Sequence, residues 1–387
     1  MSSLSYSIFV LRGLGVWYCN RELRGWKAKI YVGYSIFIFG IMYSFTLSQY
    51  LMLNDSLDDV NDFTDALFML VMLSVICSKM INMIVKRKII AGMMKVLESN
   101  LFSPQDSEES AINSKSSDNI KFCTLMYGIM TESTCTMLTL ASFNRDIPRK
   151  ELPYKAWLPF SITTNTTFWI AYLHQTLGLY IAANMDIGFD SLVIDMMMVL
   201  CVQLKILKHR FNIINQTIKS IRDSYDFKFT KKEKLYLEKK LIANCIKHHI
   251  AIFELSKETF GVSVFLQYCA GSLILCASTF SVSQLKPFSA DFVALIIYVM
   301  CILIQIFIYC RYANELTLES QSISNAIYAT DWTSLSVSSQ QSLIIIMSRE
   351  LHPIKYTVGH ITLSLASFTQ LIKLSYSAYN VLQQSSQ

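Results

Sequence analysis

Long apolar stretches separated by short polar segments extend along nearly the whole chain. A helix needs about 20 predominantly apolar residues to cross the hydrocarbon core of a bilayer, and seven stretches reach that length. We therefore predict an all-α membrane protein that forms one seven-helix domain over residues 1–387. The predicted transmembrane helices span residues 30–53, 66–85, 122–143, 167–207, 259–280, 292–312 and 357–382.

The fourth stretch is too long for one helix perpendicular to the bilayer, and Asp186, Asp190 and Asp195 interrupt it. Either it is one tilted helix that continues beyond the membrane, or it is two spans. Two spans would place the most basic segment of the chain outside the cell, against the usual distribution of Lys and Arg. One long helix is therefore favoured, followed by an amphipathic helix over residues 232–255.

The last predicted span carries polar residues at steps of three or four, which places them on one face of a helix. Such a face is costly in lipid, so it has to meet protein or water. Two interpretations stay open: polar contacts with neighbouring helices, or a helix that lines an aqueous path. The polar positions are His360, Ser364, Ser367, Gln370, Lys373, Ser377, Asn380 and Gln384.

The distribution of basic residues predicts the orientation in the membrane. With the N-terminus inside, 28 of the 34 Lys and Arg residues fall on the cytoplasmic side, 5 on the other side and Lys373 within the last span. Cytoplasmic loops generally carry the excess of Lys and Arg, so the N-terminus is predicted to be cytoplasmic and the C-terminus extracellular. Asn54 and Asn165 begin sequons in predicted outer loops and are candidate glycosylation sites.

Composition supports the membrane class, because 52% of the residues are hydrophobic and 16% are charged. Most of the ten cysteines lie inside apolar stretches without metal-ligand spacing, which is typical of buried side chains. No nucleophile, phosphate or metal motif is evident, so we expect no enzyme activity, no cofactor and no nucleic-acid partner. Charge pairs at mid-membrane, which would favour a transporter, are not evident either.

Several ionisable residues need partners. Glu132 lies near the middle of the third span, where a carboxylate is costly; it is either a functional group or the acceptor of a structural hydrogen bond. Glu315 and Glu319 lie one helical turn apart; they either attract cations that leave a pore or, more plainly, pair with Arg311 or lysines. The adjacent His248 and His249 point in different directions on a helix and are expected on a cytoplasmic surface, not at a metal.

Residues 364–382, SLASFTQLIKLSYSAYNVL, resemble the closing signature of insect odorant receptors. Residues 152–160, LPYKAWLPF, resemble the second outer loop of that family, and residues 305–310, QIFIYC, its sixth span. Residues 319–332 resemble the cytoplasmic connection that follows. The resemblance extends over nearly the whole chain.

The resemblance implies an odorant-specific subunit of a non-selective cation channel, gated by small volatile ligands. In the family such a subunit assembles with a common coreceptor into a heterotetramer, in the plasma membrane of olfactory sensory neurons. A cytoplasmic anchor is implied in the helical parts of residues 205–257 and 311–352. The alternatives are a gustatory-type chemoreceptor channel of the same superfamily and, less favoured by the orientation, a G-protein-coupled receptor.

The resemblance also implies functional residues. Ligands of the family bind in the outer half of the bundle, and the last helix lines the pore. Gln383 stands where the coreceptor is apolar, so partner subunits are expected to supply the hydrophobic constriction. The implied pore residues are Tyr379, Asn380, Gln383 and Gln384. The implied ligand-binding residues are Phe68, Met72, Met130, Thr134, Met137, Trp169, Tyr172, Leu273, Leu295 and Tyr298.

Overall fold

Ten α-helices make up most of the described chain in a computed structural model, which describes residues 5–17, 25–55, 60–224, 230–256, 260–284, 289–358 and 361–385. The all-α prediction is thus confirmed. The helices are α1 (Ser5–Gly13), α2 (Trp26–Asp55), α3 (Val60–Leu97), α4 (Ser107–Arg145), α5 (Asn165–Ser224), α6 (Lys231–Leu255), α7 (Gly261–Gln284), α8 (Ala290–Tyr328), α9 (Val337–Ser348) and α10 (Leu365–Ser385). The strands are β1 (Thr357–Val358) and β2 (Ile361–Thr362), and short 3-10 helices occupy Ile147–Arg149, Trp332–Ser334 and Arg349–Leu351.

Helix α5 is the centre of the bundle. It packs against α1, α2, α3, α4, α6 and α8. In its most apolar 18-residue segment 94% is buried inside the protein, whereas the corresponding value for α2 is 17%. Its 60 residues form one uninterrupted helix, about 90 Å long at 1.5 Å per residue. The hydrocarbon core is only about 30 Å thick, so α5 continues far beyond it, as the sequence favoured.

Four helical segments are long and apolar enough, by length and composition, to cross a membrane: Trp26–Leu53, Met69–Leu97, Asn165–Ser220 and Phe292–Tyr328. Gly261–Cys276 is a shorter apolar helix. Helices α4 and α10 also coincide with predicted spans, but hydroxyl and amide side chains dilute their hydrophobicity. Lipid tolerates such helices when neighbouring helices or water receive their polar groups.

The seventh span differs from its prediction, since residues 357–382 were expected to be one helix. Thr357 and Val358 instead pair antiparallel with Thr362 and Ile361, and the helix begins at Leu365. Ser364 provides the physical reason, because its hydroxyl accepts the backbone N–H of Ser367 (3.2 Å) while the Ser367 hydroxyl accepts that of Ser364 (2.9 Å). This reciprocal arrangement caps a helix N-terminus.

The short helix α1 docks on the middle of α5. The Ser7 hydroxyl donates to the Asp195 carboxylate, whose other oxygen accepts from Thr124 of α4 (2.9 Å). Leu11 is fully buried, and a Cβ added to Gly188 would lie 2.9 Å from its side chain. Glycine at position 188 therefore lets the two helices approach closely.

The segments predicted to form an anchor contain the end of α5, helix α6, the end of α8 and helix α9. Lys205 donates to Glu315 (3.0 Å), and Lys208 donates to Glu319 and to Ser322 (2.9 Å to the serine). The two glutamates thus pair with lysines, one of the two expected outcomes. These ion pairs join α5 to α8.

The prediction that His248 and His249 lie on a surface is wrong, because both are buried. His248 Nε2 lies 3.1 Å from Gln203 Oε1, and its Nδ1 lies 3.3 Å from a nitrogen of Arg210. Burial, reinforced by the charge of Arg210, lowers the pKa of His248 to about 3. The imidazole is therefore neutral, and its Nδ1 is free to accept from Arg210.

Candidate functional site

A cavity lies among α3, α4, α5, α7 and α8 and contains about 780 Å³ of empty space, part of it open to the surroundings. Its walls are mainly apolar and include Met72, Leu138, Leu179 and Ile274. Small side chains in the wall, among them that of Ala183, create the space of the cavity. The part of this space that the centre of a water-sized sphere can reach is about 80 Å³, several times the roughly 10–15 Å³ that one water molecule needs.

The cavity contains three of the predicted ligand-binding residues: Met72, Thr134 and Tyr298. The Tyr298 hydroxyl points at the Met72 sulfur (3.7 Å), and the Thr134 hydroxyl donates to the Met130 carbonyl (2.9 Å). The structure thus brings together side chains from α3, α4 and α8 that lie up to 226 residues apart in the sequence.

The other predicted ligand-binding residues lie elsewhere. Met137, Trp169 and Leu273 are exposed on the surface of the bundle. Tyr172 is buried against Phe168 and near Ser142, and Met130 and Leu295 are half-buried outside the cavity lining. The side chain of Phe68 lies outside the described residues.

Helix phase explains why the methionines of α4 do not line the cavity. The cavity-facing residues of α4 are Tyr127, Thr131, Thr134, Cys135 and Leu138, which recur at the helical period. Met130 and Met137, seven residues apart, share a different face of the same helix.

The predicted pore residues lie in the last two turns of α10. Asn380 is half-buried, while the side chains of Tyr379, Gln383 and Gln384 lie outside the described residues. Nearer the start of α10, Gln370, Lys373 and Ser377 are exposed. These three residues of the polar stripe are therefore not used to pack α10 against this chain.

Ser367 of the stripe packs against the chain itself, and so does Ser375, which is not part of the stripe. Ser367 and Ser375 are buried; the Tyr268 hydroxyl donates to the Ser367 carbonyl (3.0 Å), and the Cys276 thiol donates to the Ser375 hydroxyl (3.6 Å). Packing within the chain thus accounts for Ser367 but not for Gln370, Lys373 and Ser377. His360 lies outside the described residues.

Glu132 has a partner on the neighbouring helix, because Asn184 Nδ2 donates to its carboxylate (2.7 Å). This contact agrees with a structural hydrogen bond for Glu132, with an amide donor in place of the expected hydroxyl. Of the candidate glycosylation sites, Asn165 is exposed at the first residue of α5, and the side chain of Asn54 lies outside the described residues.

A buried charge cluster lies at the polar end of the cavity. Lys79 of α3 is completely buried and donates to Asp186 (2.6 Å) and to Asp190 (2.5 Å) of α5. Its ammonium also lies 5.4 Å from the centroid of the Phe189 ring, within the range of a cation–π contact. One buried ammonium thus faces two carboxylates.

Hydroxyl and amide groups from α4, α7 and α8 complete the cluster. Tyr309 donates to Asp190 Oδ1 (2.8 Å), and Tyr127 donates to its Oδ2 (3.0 Å). Gln305 donates to both aspartates, at 3.4 Å to Asp186, and it accepts from Gln267 (2.9 Å). Four members line the cavity and form its polar floor: Tyr127, Asp186, Gln267 and Gln305.

The expectation that mid-membrane charge pairs are absent is therefore wrong. Lys79, one of the 28 basic residues assigned to the cytoplasmic side, lies inside the bundle in this cluster. A signal was available in the sequence. A single Lys within an apolar helix needs an acidic partner, and Asp186 and Asp190 stand four residues apart on one helix face. Their pairing spans more than 100 residues of sequence, which local patterns do not reveal.

The cavity floor is connected to α10 through α8. Gln305 and Tyr309 belong to the cluster, and Phe307 between them contacts Phe368 of α10 with ring centroids 5.3 Å apart. Cys310 lies 3.8 Å from the Ser367 hydroxyl. One helix, α8, thus contacts both the cavity floor and α10.

Comparisons with known proteins complete these observations. A family model described as 7tm Odorant receptor matches residues 59–376. Odorant receptor 46a, isoform A, of Drosophila melanogaster is 25% identical over 368 residues, which is 93% of this chain and 92% of that protein. Odorant receptor Or1 of Anopheles gambiae is 23% identical over 363 residues, covering 88% and 85%. The solved structure of the insect olfactory receptor OR5 from Machilis hrabei in complex with eugenol superposes with a TM-score of 0.84 at 16% identity, covering 99% of this chain and 97% of that one.

Proposed function

Because the chain belongs to the 7tm odorant receptor family, we propose that it is the odorant-binding subunit of an odorant-gated, non-selective cation channel. The cavity carries this proposal, since it is mainly apolar and formed by five helices. Its ligand is a small volatile molecule, and the subunit works with the coreceptor in a heterotetramer. It lies in the plasma membrane of olfactory sensory neurons with its N-terminus in the cytoplasm.

Burial of apolar surface supplies the affinity. Each buried CH₂ group gains about 0.8 kcal/mol, and a ligand of about ten non-hydrogen atoms reaches micromolar affinity at less than 1 kcal/mol per atom. Met72 and Cys301 add polarizable walls that adapt to different shapes. The cavity is therefore suited to hydrophobic volatile molecules.

The exposed stripe of α10 supports a pore shared among subunits. Gln370, Lys373 and Ser377 face away from this chain, so in the tetramer they meet water or a partner. We propose that they line the path together with Tyr379, Asn380, Gln383 and Gln384. An odorant opens this path only if it binds the open state more tightly than the closed state, and α8 provides the connection from the floor to α10.

The direct test is the current evoked by an odorant panel in cells that co-express this chain and the coreceptor. We expect a cation current that needs both chains. Absence of current for a broad panel, with surface expression of both chains verified by antibody labelling, would contradict the channel function.

Filling the cavity is expected to weaken odorant potency without loss of expression. Leu138 lines the cavity, whereas Leu140, two residues further on α4, is exposed. Leu138→Trp places an indole in the space that the odorant needs, and we expect the half-maximal concentration (EC50) of bulky agonists to rise by about tenfold or more. Leu140→Trp is the matched control and should respond like wild type; equal responses of the two variants would argue against this cavity as the odorant site.

The orientation is tested by glycosylation mapping. If the C-terminus is extracellular, Asn165 and Asn54 lie on the side of the membrane where the modifying enzyme acts. Asn215 then lies on the other side, where it donates to the Asp331 carbonyl (2.9 Å). Endoglycosidase treatment should shift the gel mobility of wild type, and Asn54→Gln combined with Asn165→Gln should abolish the shift. Asn215→Gln is the control. Loss of the shift in that control, or no shift in wild type, would contradict the orientation.

A further inference from the structure

We propose that the cavity selects odorants that carry a hydrogen-bond donor, an ammonium group above all, and that Asp186 is the acceptor. This inference rests on the proposed function, because it names the class of ligand that the same cavity takes. It follows from how the described residues distribute donors and acceptors around the cavity floor.

Asp190 is saturated with donors. It accepts from Lys79 (2.5 Å), Tyr309 (2.8 Å), Tyr127 (3.0 Å) and Gln305, and its side chain is completely buried. Four donors match the lone-pair sites of a carboxylate. Asp190 is thus the partner that balances the charge of Lys79, and it offers nothing to a ligand.

Asp186 accepts fewer hydrogen bonds than Asp190 does. Its Oδ1 accepts from Lys79 (2.6 Å), and among the described residues its Oδ2 receives only Gln305 at the long distance of 3.4 Å. Its side chain keeps 13% exposure, against 0% for Lys79, and it lines the cavity. Because one ammonium serves two carboxylates, the surplus negative charge lies on the side that faces the ligand.

Polar groups in the cavity wall already donate hydrogen bonds to acceptors within the protein. Thr131 and Thr134 donate to carbonyls of their own helix, Tyr127 donates to Asp190, and Gln267 and Gln305 donate into the cluster. The Tyr298 hydroxyl donates to the Met72 sulfur (3.7 Å), a weak acceptor. A buried acceptor such as Asp186 Oδ2 is costly without a donor. The cavity therefore favours a ligand that donates a hydrogen bond to Asp186 over one that only accepts.

A hydrogen bond to a charged group is stronger than one between neutral groups. An alcohol in the cavity satisfies Asp186 Oδ2, whereas an aldehyde or a hydrocarbon of the same shape leaves it unsatisfied. An ammonium also neutralises the surplus charge, which matters most where the dielectric constant is low. We expect the order amine, alcohol, then aldehyde and hydrocarbon, with a gap of about tenfold or more between the donors and the rest.

The test compares benzylamine, benzyl alcohol, benzaldehyde and ethylbenzene, which share an aromatic skeleton. The EC50 of each is measured as evoked current in cells that co-express this chain and the coreceptor. The two donors should be at least about tenfold more potent than the other two. Equal potency of benzaldehyde and benzyl alcohol would overturn the inference and leave the channel function intact.

If other odorants open the channel and none of the four does, the same comparison is made by competition against an active odorant. Benzylamine and benzyl alcohol should then shift its EC50 and the other two should not; absence of this difference overturns the inference. If no odorant evokes current while both chains reach the surface, the proposed function itself fails, and the inference with it.

Two Asp→Asn variants on α5 localise the effect. Asp186→Asn keeps the Lys79–Asp190 pair and removes the surplus charge, so the advantage of benzylamine over ethylbenzene should fall by about tenfold. Asp195→Asn is the matched control, because Asp195 contacts Ser7 and Thr124 and does not line the cavity. An unchanged amine preference in Asp186→Asn would assign the selectivity to another group and overturn the role of Asp186.

Discussion

Replacement of Lys79 by methionine is expected to remove most of the chain from the cell surface. The variant leaves two buried carboxylates without their cation, and breaking a buried ion pair from one side costs about 3–5 kcal/mol. Whole proteins are stable by only about 5–15 kcal/mol, so this loss raises the unfolded fraction that cellular quality control removes during biosynthesis. Surface labelling of intact cells measures the outcome.

The control for this variant is Lys88→Met, which removes an exposed lysine nine residues further along the same helix and should leave surface expression unchanged. A triple variant, Lys79→Met with Asp186→Asn and Asp190→Asn, removes all three charges together. Replacing a complete buried charge group is far less destabilising than breaking it, so partial recovery is expected. Normal surface levels of Lys79→Met alone would mean that the cluster does not stabilise the fold.

The second large effect is expected for Arg210→Met. The Arg210 guanidinium binds both oxygens of Glu109 (2.8 and 2.9 Å) and the carbonyls of Leu101 (2.9 Å) and Ser103 (3.0 Å). One buried side chain thus holds the α3–α4 connection and the start of α4 against α5. Removing it leaves Glu109 buried and unpaired, at a cost again of about 3–5 kcal/mol.

Thermal unfolding of the detergent-solubilised protein measures this loss, and we expect a melting temperature lower by at least about 5 °C. Lys219→Met, an exposed position on the same extension of α5, is the control. The double variant Arg210→Met with Glu109→Gln should regain part of the loss, because the stranded charge is gone. A melting temperature equal to that of Lys219→Met would show that the connection is held by other contacts.

Helices defined by long apolar stretches can be predicted from the sequence, whereas features that depend on residues distant in the sequence cannot. Hydrophobicity places α2, α3, α5 and α8 because burial in lipid acts on whole stretches of residues. The β1–β2 hairpin cannot be predicted from hydrophobicity, because Thr357, Val358 and Ile361 would be equally suited to a membrane helix. Only the serine cap at Ser364 marks the true start of α10.

The site is less predictable than the fold. Which face of α4 meets the cavity depends on how α4 packs against α5 and α8, so Thr134 was identified while its neighbours Thr131 and Leu138 were not. The Lys79 cluster requires knowing that α3 lies beside α5. A single charge in an apolar stretch, such as Lys79, does however indicate that a partner of opposite charge exists. A search for acidic residues in the other predicted spans would have suggested Asp186 and Asp190.

The contact between Ser7 and Asp195 has a consequence for synthesis on the ribosome. The two residues are separated by 188 positions, and translation proceeds at about 5–20 residues per second, so α1 waits roughly 10–40 s for the helix on which it docks. During that interval Leu11 and its neighbours have no partner from α5. Helix α1 thus reaches its final place only after the middle of α5 has been synthesised.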